Sequence, residues 1–189
     1  MITNVFILIC IGVFIYINYI SKDNKTSEAM RLGALYTPYV KNRGEYWRFV
    51  TSAFIHTEFL HLFMNVYCIY YLGHMFESML GSVRYLILVF VSIVMSSLST
   101  YYLSFRDSSV DNSITIGASG LFYGFLGAMI GLGLFKGGVF LSLLRSYMVC
   151  IVINLMFTLM NSHISKSGHI GGLIGGYLTM YLMYLLKFI

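Results

Sequence analysis

Charge is what this 189-residue sequence has least of. Its 12 Lys and Arg and 7 Asp and Glu make up 10% of the chain, where soluble globular domains carry about 25%. With 58% apolar residues and a mean hydropathy of +0.79, a water-soluble fold is excluded. Proline occurs once, at Pro38 in a polar stretch, so no apolar run carries a proline kink. The three cysteines, Cys10, Cys68 and Cys150, lie in apolar runs without CxxC spacing. They indicate neither a disulfide framework nor a zinc site, and say nothing of the redox compartment. There is no HExxH motif, and His56, His61, His74, His163 and His169 have no carboxylate at ligand spacing. Metal catalysis is therefore not indicated, and no cofactor is suggested. The excess of five positive charges is scattered and mixed with acids, which gives no nucleic-acid patch and points to lipid headgroups instead.

What is present is a series of apolar runs, and an all-α polytopic membrane protein follows. The runs predict spans at 3–20, 59–80, 84–105, 118–135, 144–161 and 168–188. Six spans of about 20 residues would use about 120 residues and leave about 70 for every connection. A single membrane domain over 1–189 is expected, without a separate soluble domain. The first run lacks a basic n-region and an A-x-A cleavage site, so it is expected to be a retained span. The long first loop at 21–58 holds ten of the nineteen charged side chains. Arg145 is expected near a membrane face, where its stem can snorkel, with residues 137–143 along the interface. Gly120, Gly124, Gly127 and Gly131 in the fourth span, and Gly168, Gly172 and Gly176 in the sixth, each line one helical face and allow close backbone packing.

Alternation of spans places the starts of the second, fourth and sixth on one membrane face. Topology thus brings His61, Asn65, Ser119 and His169 to similar depth, within about 10 Å of that face at 1.5 Å per residue. Ser119, among small residues in Gly117-Ala118-Ser119-Gly120, has an uncovered hydroxyl; it is a candidate nucleophile, and helix capping or close packing is the competing role. His169 could take and return its proton, or simply hydrogen-bond a loop carbonyl. His61 and Asn65 share a helix face at i,i+4 and could donate to an oxyanion together with a backbone N–H at the start of the fourth span, or clamp two helices. Tyr123 shares the face of Ser119 and could support the His169 ring, although sixteen tyrosines make core packing a strong alternative. No Ser-His-Asp triad is supported, because Asp107 and Asp111 lie in a loop and Glu77 near the opposite face. A dyad would work without a carboxylate.

The ordered set Trp47-Arg48, His56, His61-x-x-x-Asn65, Gly73 with Glu77, Gly81-Ser82-x-Arg84, Gly117-Ala118-Ser119-Gly120 with Tyr123, and Gly168-His169 with Gly172 resembles the rhomboid intramembrane serine proteases. The resemblance implies a bacterial-type six-helix core with Ser119 as nucleophile and His169 as base and acid. His61, Asn65 and the Ser119 backbone N–H would stabilise the oxyanion. It implies a first loop lying partly in the membrane beside the second span, held in part by Trp47 and Arg48. Substrates would be membrane proteins, commonly single-span, cut near the outer face after a small residue. His74 stands where the family often has a second glycine, and no extra helix or cytosolic domain is expected. Leaving the first loop aside, Arg106 and Lys166 against Arg84, Lys136, Arg145 and Lys187 favour the family orientation, with the site near the outer face of a bacterial cytoplasmic membrane. The 162–167 connection and the first loop are expected lids, and Tyr147 with Phe157 a lateral gate. Competing readings are a non-catalytic rhomboid-like binder of membrane helices and a small transporter or channel. The latter is disfavoured by the lack of an internal repeat.

Overall fold

The computed structural model of the chain describes residues 1–160 and 165–189, apart from the Phe157 side chain. Residue 161 of the fifth predicted span, residues 162–164 of the expected 162–167 lid, His163 among them, and the Phe157 side chain of the expected gate lie outside the described residues. Helix α1 (Ile2–Ile15) continues through a π-helical turn (Tyr16–Ile20). The first loop then folds into α2 (Lys25–Leu32), β1 (Leu35–Tyr36), α3 (Thr37–Arg43) and α4 (Arg48–Thr51), followed by a 3-10 turn at Ser52–Phe54. Next come α5 (Phe59–Leu80), α6 (Ser82–Leu103), α7 (Ser108–Asp111), β2 (Ile114–Thr115), α8 (Ser119–Lys136), α9 (Gly138–Met160) and α10 (Lys166–Leu185).

Among the described residues, four helical segments are long and apolar enough to cross a membrane: Ile2–Ile20, α6, α8 and α9. Helices α5 and α10, with 22 and 20 residues, occupy the places of the other two expected spans. Their apolar character is diluted by His61, Asn65, His74 and Glu77 in one and by Lys166, His169 and five glycines in the other. Helix α9 begins at Gly138, so residues 138–143 are its first turns and run without a break into the predicted fifth span. Its start is set by Gly137 and Gly138, both at positive φ (62° and 51°), and Arg145 is exposed on its flank, so the charge does not have to end the helix.

Glycine sets the packing at the centre. Helix α10 lies against both α8 and α6. A Cβ at Gly172 would collide with the carbonyl oxygen of Gly120, one at Gly176 with that of Gly124, and one at Gly127 with that of Leu173. On the adjoining face, Gly171 meets Ser99 and the Met95 carbonyl, and Gly175 meets the Met95 side chain. Small residues thus let three helices approach backbone to backbone, where dispersion contacts replace the missing hydrophobic drive between helices in lipid. Helix α1 is fixed differently. The buried Glu77 carboxylate accepts the backbone N–H groups of Ile2 (2.6 Å) and Thr3 (3.0 Å) and the Thr3 hydroxyl (2.7 Å). It therefore satisfies the open N-terminal donors of α1 from a neighbouring helix.

The first loop is a small folded unit. Arg48 is buried and donates to the carbonyls of Met30 and Ala34, both at 2.8 Å, and to Glu45. Its guanidinium also lies over the Trp47 ring. The loop rests mainly on α6, the third span, through α4 and the Phe49–Tyr101 ring contact, where the resemblance led to the second span. The reason lies in pairing farther along the chain: β1 runs antiparallel to β2, with Leu35 opposite Thr115 and Tyr36 opposite Ile114, which pulls the loop toward the α6–α8 connection.

Gly176→Val should therefore be strongly destabilising, because overpacking against backbone leaves nothing that can yield; a loss of more than about 1–3 kcal/mol is expected. Gly12→Ala, in the interior of α1 where a Cβ meets nothing within 4 Å, should not lower the melting temperature in detergent. Equal melting temperatures for the two variants would contradict the backbone contact.

Candidate active site

The segment that delivers Ser119 is held from outside its own helix. Gly117 takes φ +104°, a left-handed conformation that favours glycine, and a Cβ there would lie 2.6 Å from Cε1 of His61. Its N–H donates to the Ser52 carbonyl (2.9 Å), and the N–H of Ala118 donates to Nε2 of His56 (3.2 Å). The Ala118 carbonyl accepts from Leu121 (3.0 Å) and Phe122 (3.1 Å), and so starts α8. The peptide plane that carries this carbonyl also carries the Ser119 N–H, which therefore points away from the helix it precedes.

His169 arrives from the first turn of α10. Ser165 caps that helix by accepting the Gly168 N–H at 3.2 Å. The Thr100 hydroxyl of α6 lies 3.2 Å from the hydroxyls of both Ser165 and Ser167. Gly168 sits where a Cβ would press on the Ser165, Ser96 and Thr100 hydroxyls, and Gly120 where it would press on Ser96. These glycines, with Gly172, bring the two helix starts together. The Ser119 hydroxyl and Nε2 of His169 are 2.8 Å apart.

The His169 ring stacks on Tyr123 with centroids 4.1 Å apart and planes at 16°, a position well suited to fix the imidazole plane. Nδ1 of His169 lies 2.9 Å from the hydroxyl of Thr158 on α9, which is buried and also hydrogen-bonds the Tyr123 hydroxyl. Tyr123 in turn donates to the Asn154 carbonyl at 2.6 Å. Sequence reasoning singled out neither Thr158 nor Asn154. A threonine in an apolar run carries no signal of its own, and only its eleven-residue separation from His169 along two different helices makes it a neighbour.

His61 lies against Gly117 and forms an edge contact with the His56 ring, 5.0 Å away. The Asn65 amide is buried, and its nitrogen donates to the His61 carbonyl at 2.9 Å, which uses one of its two N–H bonds. Trp47 and Arg48 do not reach the Ser119–His169 pair; they brace the first loop. Beyond the Ser52 and His56 contacts to the serine segment, that loop reaches the α6–α8 connection through Asp111, whose carboxylate accepts from Thr37 (2.6 Å) and Lys41 (2.8 Å). The Lys41 hydrogen bond, then that of Thr37, holds the Asp111 carboxyl below its usual range. Among the described residues no group of three His, Cys, Asp or Glu side chains could hold a metal ion.

The rhomboid domain profile matches residues 43–186 of this chain. Among curated proteins, the chain is 32% identical over 176 residues to the protein named rhomboid protease GluP of Bacillus subtilis, covering 93% of this chain and 33% of that protein. It is 29% identical over 141 residues to the putative rhomboid protease YdcA of the same organism, covering 74% and 68% of the two chains. It is 31% identical over 159 residues to RHOMBOID-like protein 6, mitochondrial, of Arabidopsis thaliana, covering 80% and 48%. The chain thus spans about a third of the length of the first of these and about half of the third.

His56 yields a prediction. It is fully buried, and burial, followed by the neighbouring His61 ring, pushes its pKa down to about 3. An unfolded chain binds a proton at this position below about pH 6.5 while the folded chain does not, so stability from this group is intact above pH 6.5 and falls as pH drops toward 3. His56→Gln, with an amide oxygen that can accept the Ala118 N–H, should lack this loss. The stability gap between parent and variant should narrow as pH falls from 7 to 4 in detergent thermal melts; a gap that stays constant would argue against a buried neutral imidazole.

Proposed function

Since the chain belongs to the rhomboid family, we propose that it is an intramembrane serine protease. On this reading its six long helices span the membrane, and it hydrolyses a peptide bond in or near the membrane span of other membrane proteins. The observation that carries the reading is the 2.8 Å contact between the Ser119 hydroxyl and Nε2 of His169. Nucleophile and base are within proton-transfer reach without any further movement.

In this mechanism the Ser119 oxygen attacks the scissile carbonyl carbon as its proton passes to His169 Nε2. The negative charge that develops on the carbonyl oxygen is met by the Ser119 N–H, with the His61 ring and the free N–H of Asn65 as side-chain donors. The tetrahedral intermediate collapses as the C–N bond breaks, and His169 gives its proton to the leaving amine. Water then enters from the face where α5, α8 and α10 begin. It loses a proton to His169, attacks the ester carbon, and releases the new carboxyl end as the proton returns to Ser119. His56 has a supporting place, since it holds the peptide next to the donor. No cofactor takes part. The substrates are membrane proteins, commonly single-span and cut after a small residue, and the lipid bilayer is the working medium. The setting is a bacterial cytoplasmic membrane with the dyad near its outer face, which the short-loop charges favour.

Reconstituted in liposomes with a single-span substrate, the parent should cleave and Ser119→Ala should not. His61→Ala and Asn65→Ala should each lose roughly 10²–10³ in rate, the usual effect of removing one oxyanion donor. A fluorophosphonate should label Ser119, and the label should vanish in His169→Ala. Parental cleavage by Ser119→Ala would discard the nucleophile. A folded parent that neither cleaves nor labels would favour a non-catalytic binder of membrane helices.

A further inference from the structure

A serine–histidine pair works only if the imidazole presents a lone pair to the hydroxyl, and in triads a carboxylate on the other ring nitrogen enforces that tautomer. Here no carboxylate stands near His169 among its described partners. The hydroxyls beside it are connected in one direction only. The Asn154 carbonyl can accept and cannot donate, and Tyr123 has a single hydroxyl proton, so the 2.6 Å contact places that proton on the Asn154 side. The Tyr123 oxygen is then the acceptor of the Thr158 proton. With its own proton so directed, the Thr158 oxygen accepts from Nδ1–H of His169, 2.9 Å away. The remaining nitrogen, Nε2, is left unprotonated and faces Ser119.

The Thr158 side chain is free for this because of a second feature of the same contact. A threonine within a helix commonly bonds back to the carbonyl four residues earlier. For Thr158 that is Asn154, and the Asn154 carbonyl is engaged by Tyr123 instead. We infer that Thr158 is a positioning residue that sets the tautomer of His169 through a neutral relay, His169 Nδ1–H to Thr158 to Tyr123 to the Asn154 carbonyl. This rests on the serine-protease reading of the dyad. Thr158 acts through His169 and does not touch the reacting atoms. The relay also ties the dyad to α9, which supplies both the hydroxyl next to His169 and the carbonyl that ends the chain of donors.

The test combines turnover with spectroscopy on the full chain in liposomes or detergent. Thr158→Val keeps the shape, leaves Tyr123 bonded to Asn154, and removes the acceptor for Nδ1–H. Its kcat should fall about 10²-fold with KM within about twofold, less than the ~10⁴ lost when a charged orienting group is removed from a triad. Thr158→Ser should recover most of the loss. In ¹⁵N-histidine spectra, the parent His169 should carry its proton on Nδ1, and Thr158→Val should gain the Nε2–H form. Parental kcat in Thr158→Val, a rise in KM alone, or no recovery in Thr158→Ser overturns the relay. So does a parent His169 protonated on Nε2, a measurement that needs no variant beyond an assignment control. A parent with no Ser119-dependent cleavage defeats the protease reading by itself, and the tautomer then decides the relay separately.

Discussion

The site depends on the approach of two helix backbones. Gly172 and Gly176 of α10 meet the carbonyls of Gly120 and Gly124 of α8 with no room for a Cβ. The contact repeats every four residues on both helices, so it fixes their axial register as well as their separation. Ser119 precedes Gly120 by one residue, and His169 precedes Gly172 by three. Once the registers are fixed, the hydroxyl and the imidazole have little choice but to meet. A Cβ at Gly172 or Gly176 would overlap an α8 carbonyl oxygen and force the two helices apart, which is why the packing of the fold and the Ser119–His169 geometry are one constraint.

Around that pair the structure uses neighbours to satisfy groups a helix cannot satisfy alone. The open N–H groups of α1 find Glu77 on α5. Those of Gly117 and Ala118, before α8, find Ser52 and His56 from the first-loop side. In a bilayer an unsatisfied backbone group costs several kcal/mol, so each of these bonds sets position strongly. Together they leave the Ser119 N–H as the next donor in line. The first loop therefore has a structural reason to lie on α6 and the α6–α8 connection: it completes the turn from which the serine projects.

Much of this could be read from sequence because charge is so scarce. In a chain so apolar, Ser119, His169, His61 and Asn65 stand out against their surroundings, and the alternation expected of six spans assigns them one end of the bundle without any structure. The glycine faces were legible from their spacing for the same reason. Thr158 was not, because its significance lies in a relation across two helices and its own run, Phe157-Thr158-Leu159, has no period that singles it out. Arg145 reads in the sequence as a break in the fifth apolar run, yet the helix runs through it from the paired positive-φ glycines at 137 and 138. The β1–β2 pairing, only two residues on each side, is below what alternation of side chains can reveal, yet it redirects the whole first loop.

The neutral relay also explains how a dyad can do without the carboxylate. Burying a carboxylate beside His169 in the bundle would incur the desolvation of an ion, several kcal/mol even after relaxation, unless the geometry repaid it. A chain of hydroxyls that ends on a helix carbonyl orients the imidazole without placing a charge in lipid. The Asn154 carbonyl has a second lone pair beyond the one a helical hydrogen bond uses, so the chain of donors ends on capacity the helix already has. What the relay cannot supply is the charge that stabilises an imidazolium in a triad. On the protease reading proposed above, stabilisation of the developing positive ring then falls to the Tyr123 face stacked on it and to the oxyanion formed in the same step. Of these, Tyr123 belongs to α8, so the close packing of α8 on α10 that brings Ser119 to His169 also holds the ring against the imidazole.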